Sequence, residues 1–160
     1  MNADWEAEIA SLLNDLSTVQ SDLLEFLGEK QRLLAAVDLP GMAALDEREP
    51  DMIERLQACH RRRGELLAQA TEAGRKVESL RELADSLDAN SARQLKQPLR
   101  DSVHRARLLQ HQSLTNWVIV QRTMLHLSQI LEIIASGGRP QPTYGMDAVA
   151  SSGALVDQAA

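Results

Sequence analysis

From Ile9 onward the chain places an apolar side chain at every third or fourth position: Ile9, Leu12, Leu16, Val19, Leu23 and Phe26, then Leu33 and Val37, with Lys30 at the one polar position. Steps that alternate three and four keep a single narrow stripe in line on an α-helix, whereas a strand needs alternation with period two. The stripe therefore predicts a first helix over about residues 3–37 that packs through a heptad-type seam. The segment DLPG follows, and its Pro40 and Gly41 mark a turn short enough to send the next helix back antiparallel.

A second tract puts Leu45, Met52, Leu56, Cys59, Arg63, Leu66 and Ala70 on one stripe. Pro50 has no amide donor and clashes with the preceding turn, so it either kinks this helix or begins it as a first-turn residue. Gly74 is a weak point, but Val77, Leu80, Leu83 and Leu87 resume the pattern and carry the tract to Leu87. DANSARQLKQP is the next break, with Asn90 or Ser91 able to cap a helix start and Pro98 placing a first turn or a kink. A last helix is then expected from about Pro98 to Ala135. Its seam runs Val103, Ala106, Gln110, Ser113, Trp117, Val120, Met124, Leu127, Leu131 and Ile134, and SGGRPQP ends it. The expected fold is all-α: an elongated antiparallel bundle of three to four long helices with coiled-coil-like seams over residues 1–136, followed by a flexible, disordered tail over residues 137–160. Few aromatics beside abundant Leu, Ala, Glu, Arg and Gln suit such seams.

Several function classes are disfavoured. A net charge of −6 argues against nonspecific binding to nucleic acid or anionic membranes, which needs a basic surface. HRRRGE (His60 to Glu65) is locally basic but lies among Glu54, Glu65 and Glu72, as a solvated helix face would. His60, His104, His111 and His126 include no pair at the i, i+3 or i, i+4 spacing that shares a metal, so no metal or other cofactor is expected. Carboxylates are spread over helix surfaces, and no phosphate loop, nucleophile elbow or CxxC occurs, so the chain does not read as an enzyme. Cys59 has no partner in the chain, the N-terminus lacks a basic then apolar leader, and Arg122, His126 and Glu132 interrupt the most apolar stretch, which points to a cytoplasmic protein without membrane insertion.

The last helix is the anomaly. Beyond its seam it carries Leu114, Val118, Ile119, Leu125, Ile130 and Ile133, an apolar arc wider than a two- or three-helix seam covers. Burial as the central helix of a four-helix packing, self-association, or a groove for an amphipathic segment of a client all accommodate this arc; Trp117 and Met124 suit the third as anchoring and adaptable contacts. After the break, Tyr144 stands beyond two glycines and Pro140 and Pro142, either projected as an anchor or folded back over the arc.

A heptad first helix, then ERLQACHRRRGELLAQA, VESLRELADSL, SLTNWVIVQRTMLHLSQILEII and finally TYG together resemble the FlgN family of flagellar export chaperones, over about Trp5 to Gly145. Arg63 with Leu66 and Leu67, Asn116 and Tyr144-Gly145 are the specific points. The resemblance implies a small cytoplasmic chaperone that keeps the hook–filament junction proteins FlgK and FlgL unpolymerised and delivers them to the export gate protein FlhA. It assigns client binding to the final helix, here Leu114, Asn116, Trp117, Val118, Val120, Met124, Leu125, Leu127, Ile130, Leu131 and Ile134, and gate docking to Tyr144 and Gly145. MDAVASSGALVDQAA, after Gly145, departs from that pattern. The alternative from another class is a structural coiled-coil protein that homo-oligomerises, as a dimer for instance, through the apolar last helix.

Overall fold

The computed structural model describes residues 4–138. Tyr144, Gly145 and the rest of the expected tail from 139 to 160 lie outside the described residues. Five helices occur in order: α1 (Trp5–Ala36), α2 (Leu39–Asp46), α3 (Glu49–Glu72), α4 (Leu80–Asp85) and α5 (Ala89–Ala135). No strand occurs among the described residues, as the spacing of apolar residues predicts. The chain divides into two compact units, residues 1–121 and 122–160. Its core and the ion pairs between α1 and α3 belong to the first.

Those ion pairs fix the direction of α3 against α1. Arg62 meets Asp15 at 2.8 Å and Glu8 at 3.2 Å, Arg55 meets Asp22 at 2.7 Å, and Arg48 meets Glu29 at 3.2 Å. Partners rise along α1 as they fall along α3, so the two helices are antiparallel. Lys30, the polar member of the α1 stripe, closes this series. Its ammonium bonds Asp46 at 3.1 Å and Glu49 at 3.0 Å and lies 5.6 Å from the Phe26 ring centre. Burial pulls its pKa down, but the two carboxylates outweigh burial and hold it above its ordinary value. One of the three basic residues of HRRRGE, Arg62, is thus committed to α1.

The core is built from Ile9, Leu12, Leu13 and Val19 of α1, Cys59, Leu66 and Ala70 of α3, Leu80, Leu83 and Ala84 of α4, and Leu95 of α5. Cys59 is buried and free, and burial together with Asp15 pushes its thiol pKa up, so it behaves as a small apolar side chain. Leu16 and Leu23 pack against this cluster while partly exposed.

Three boundaries differ from the sequence expectation, each for a local reason. The second tract does not run to Leu87. Gly74 adopts φ +81° and the Arg75 amide donates to the Ala70 carbonyl, a glycine-dependent helix end that stops α3. Leu80 and Leu83 belong instead to α4, where the Ser79 hydroxyl accepts from the Glu82 amide while the Glu82 carboxylate accepts from the Glu78 amide. The last helix starts at Ala89 rather than at Pro98, because Asp88, not Asn90 or Ser91, accepts from the Asn90 and Ser91 amides at 3.0 and 3.2 Å. Hydrogen bonds from Ser91 hold the Asp88 carboxyl below its usual pKa. Pro98 then sits inside α5.

Val37 is the third departure. Expected on the α1 seam, it is 65% exposed and occupies the left-handed region at φ 55°, where the Asp38 amide reaches back to the Leu33 carbonyl at 3.0 Å. That conformation terminates α1 and is costly for a β-branched residue. Gly41 has no such freedom to change: a Cβ there would come within 2.6 Å of the Asp38 carboxylate that caps α2 and 2.7 Å of Leu33. Val37→Gly should therefore raise stability by about 1 kcal/mol, a gain of a few degrees in melting temperature. Differential scanning calorimetry checks this, and Gly41→Ala should lower the same melt.

Candidate functional site

The candidate site lies along α5, and its origin is the side that α5 turns inward. Leu95 is buried in the core and Leu99 packs against it, which fixes the rotation of the helix at its N-terminal end. Later residues at three- and four-residue steps then face α1: Ser102, Arg105, Leu109, Gln112 and Asn116. Most are polar, and α1 meets them with polar groups. Ser91 and Glu6 share a short hydrogen bond. Gln20, 4% exposed, donates to the Ser102 carbonyl at 3.1 Å and accepts from the Arg105 guanidinium at 3.2 Å. Gln112 bonds Gln31, and Asn116 donates to the Leu27 carbonyl at 2.9 Å. From Glu6–Ser91 through Gln20–Ser102 to Leu27–Asn116 the partners rise along both helices, so α5 runs parallel to α1 and the first unit is an up-down-up arrangement of α1, α3 and α5.

This reverses the sequence expectation for α5. The stripe Val103, Ala106, Gln110, Ser113 and Trp117, read as its seam, faces away from α1, with Val103 53% and Trp117 61% exposed. The inward stripe is displaced by one position, about 100° around the helix. Leu95 and Leu99 decide the matter, because they reach the core first and the later residues inherit their rotation.

Within the first unit the exposed apolar residues of α5 include Leu114, Trp117 and Val118. Val120 is half-buried. Asn116, which the resemblance groups with the client-binding residues, is buried at 6% exposure against α1, and its Oδ1 has no hydrogen-bond partner. An unpaired buried acceptor costs about 1–3 kcal/mol, so Asn116 acts on the fold by fixing α5 against the Leu27 carbonyl. Sequence reasoning missed Gln20 and Gln31 altogether. The one available signal was a pair of glutamines flanking an otherwise apolar α1 seam.

Among the described helical residues of the second unit none is buried, and Thr123 is half-buried. Met124, Leu125, Leu127, Ile130, Leu131, Ile133 and Ile134 are all exposed, and Leu131 is 65% accessible. A helix apolar on every side is ordinarily buried. An 18-residue window of α5 reaches a mean hydropathy of 1.2, apolar enough by length and composition to cross a membrane, and none of it is buried. The sequence expectation that this stretch falls short of a span therefore does not hold on hydropathy alone. Gln121, Arg122, His126, Gln129 and Glu132 still interrupt it, and such groups are costly against lipid but ordinary at the edges of a protein groove.

No group of three or more His, Cys, Asp or Glu side chains that could hold a metal occurs among the described residues. A cleft of about 360 Å³ between α1 and α3, lined by Leu12, Asp15, Val19, Arg55, Cys59 and Arg62, has its two cations already paired with α1 carboxylates. The arrangement favours association with an apolar partner surface.

The hinge of this site is Gln20, which ties α1 to two successive turns of α5. Gln20→Ala should lower the unfolding free energy by about 1–3 kcal/mol by stranding the Arg105 guanidinium and the Ser102 carbonyl, measured by urea denaturation. A melt unchanged from the parent would show that the polar seam contributes nothing.

Comparison with known proteins bears on what that partner is. The family model described as FlgN protein matches residues 1–152, which carries the likeness seven residues beyond Gly145 and into MDAVASS. No curated protein and no solved structure matches the chain.

Proposed function

The chain belongs to the FlgN family of flagellar export chaperones, and from that premise we propose that the exposed apolar residues of α5 receive an amphipathic segment of a flagellar junction protein of the FlgK or FlgL kind. The observation that carries this reading is that α5 spends its inward stripe on polar bonds to α1 and leaves Leu114, Trp117 and Val118, and further on Met124, Leu127 and Leu131, exposed. Terminal segments of axial proteins are polymerisation surfaces. A segment that folds on binding can lay its apolar stripe on such a helix, and the buried stripe is then withheld from premature assembly. Each large side chain fully covered contributes about 1.5–3 kcal/mol, so a few of them suffice to offset the ordering of the client.

The client-binding set in this proposal is Leu114, Trp117, Val118, Val120, Met124, Leu125, Leu127, Ile130, Leu131 and Ile134, with Asn116 acting from beneath. The family's setting makes the reaction one of binding and release, without bond chemistry, in the cytoplasm. Delivery to an FlhA-like gate is assigned to Tyr144 and Gly145. Tyr144 suits this role by its chemistry, since a tyrosine ring is apolar with a polar end and serves as an anchor at interfaces.

Val118→Asp combined with Leu131→Asp should abolish co-purification of FlgK- or FlgL-like clients while the circular dichroism of the chaperone stays that of the parent, since both residues are exposed. Retention of the client by the double variant would place the site elsewhere. Tyr144→Ala should leave the melt and client binding unchanged and weaken binding to the gate's cytoplasmic domain at least tenfold, about 1.4 kcal/mol; a lower melt with full gate affinity would assign Tyr144 to the fold instead. A homo-oligomeric structural role predicts a stable dimer without client, which sedimentation distinguishes.

A further inference from the structure

We propose that α5 carries a second recognition element, a basic stripe over residues 93–111 of the first unit, which binds an acidic stretch of the client segment adjoining its apolar one. The stripe's role rests on the client reading, to which it adds the charge of the segment that α5 receives.

Arg93, Lys96, Arg100, His104, Arg107 and His111 follow one another at three- and four-residue steps, and all are exposed. That spacing keeps them on one line along the helix. The line is two positions out of step with Leu95, Ser102 and Asn116, about 200° around the helix, so it faces away from α1. Asp101 is the one acidic residue between Ala89 and Leu131. It lies off this line, half-buried, and accepts from the Gln97 amide at 2.8 Å. No carboxylate among the described residues comes within ion-pair distance of Arg93, Lys96, Arg100 or Arg107. HRRRGE lies among Glu54, Glu65 and Glu72, whereas the stripe on α5 has no such neighbours to neutralise it.

A stripe of one sign on a chain of net charge −6 selects its partner by charge. The permanent cations extend from Arg93 to Arg107, about 21 Å along the helix. A single phosphate or carboxylate group meets one of them, and an extended acidic partner meets them all. The same line continues, with its spacing unbroken, into Leu114 and Val118, which are exposed. An occupant that follows α5 therefore meets cations first and apolar side chains next. A protein segment can present acidic residues and then apolar ones in that order, whereas nucleic acid has no apolar stripe to lay on Leu114 and Val118. A helix lying in an anionic membrane surface carries its cations and its apolar side chains on different sides at the same level. Here they succeed one another along one side. Charge at one end of the site also fixes the direction in which the segment lies and speeds its capture.

The test titrates a FlgK- or FlgL-like client into the full-length chaperone by calorimetry, at about 0.05 M and about 0.5 M salt. Arg100→Glu with Arg107→Glu should weaken binding about tenfold at low salt and far less at high salt, where the parent's advantage is screened. Circular dichroism should stay that of the parent, since both arginines are exposed. Arg100→Lys with Arg107→Lys should keep the parent affinity, and carbodiimide cross-linking of the parent complex should join Lys96 to a client Asp or Glu. A reversal variant that binds the client as the parent does at low salt overturns the proposal and leaves the client reading standing. So does a variant that keeps the client but loses binding to vesicles of phosphatidylcholine with phosphatidylserine, which would assign the stripe to lipid headgroups. A parent that binds no such client at either salt overturns the client reading, and the proposal falls with it.

Discussion

The hydrogen bonds between Gln20 and Gln31 of α1 and the inward stripe of α5 are the interaction on which the rest depends. A side chain such as Gln20 can be buried only because both ends of its amide are satisfied, one by the Ser102 carbonyl and one by Arg105. Where α1 presents these amides, α5 answers with the Arg105 and Gln112 side chains and the Ser102 backbone carbonyl, and apolar residues such as Leu114 and Val118 are left exposed. Leu95 and Leu99 set the rotation from the core, and the polar bonds hold it over the next turns. Asn116 extends the same logic at a cost, since its buried Oδ1 has no hydrogen-bond partner.

This division of labour separates stability from binding. The first unit is held by a core from α1, α3, α4 and the start of α5 and by a ladder of paired charges, none of which uses the residues assigned to a client. An apolar helix that did not have to bind would have packed inward, and the sequence has the residues for it in Val103, Trp117 and Val120. Burying polar groups on one side and exposing apolar ones on the other is stabilising for neither side alone, and it leaves α5 with the apolar surface on which the proposed client binding rests.

Much of this was legible in the residues and some was not. The α1 stripe read correctly at Ile9, Leu12, Val19 and Phe26 because a long three-and-four spacing admits only a helix. A break after α1 was expected close to where it occurs, but Pro40 and Gly41 lie in the first turn of α2, and the chain turns at Val37 and Asp38 instead. The start of α5 was misread because Pro98 resembles a first-turn residue, and nothing local says that Asp88 has already capped a helix ten residues earlier. Rotation of α5 was misread for a different reason: two stripes at the same spacing run along it, and the choice between them is made by Leu95 and Leu99 against the core, a tertiary fact. The excess width of the arc was legible, but whether it is buried or exposed was left open, and the burial of Asn116 was not legible because its partner is a backbone carbonyl that no pattern displays.

The central claim is that Trp117 stands in solvent because the polar seam turns it there. Fluorescence of a Trp5→Phe variant, in which Trp117 is the remaining tryptophan, measures this directly through its emission maximum and its quenching by acrylamide. The account predicts a red-shifted, readily quenched Trp117 in the client-free monomer. A blue-shifted emission protected from quencher in that monomer would mean that α5 packs by its apolar stripe, and would contradict the account.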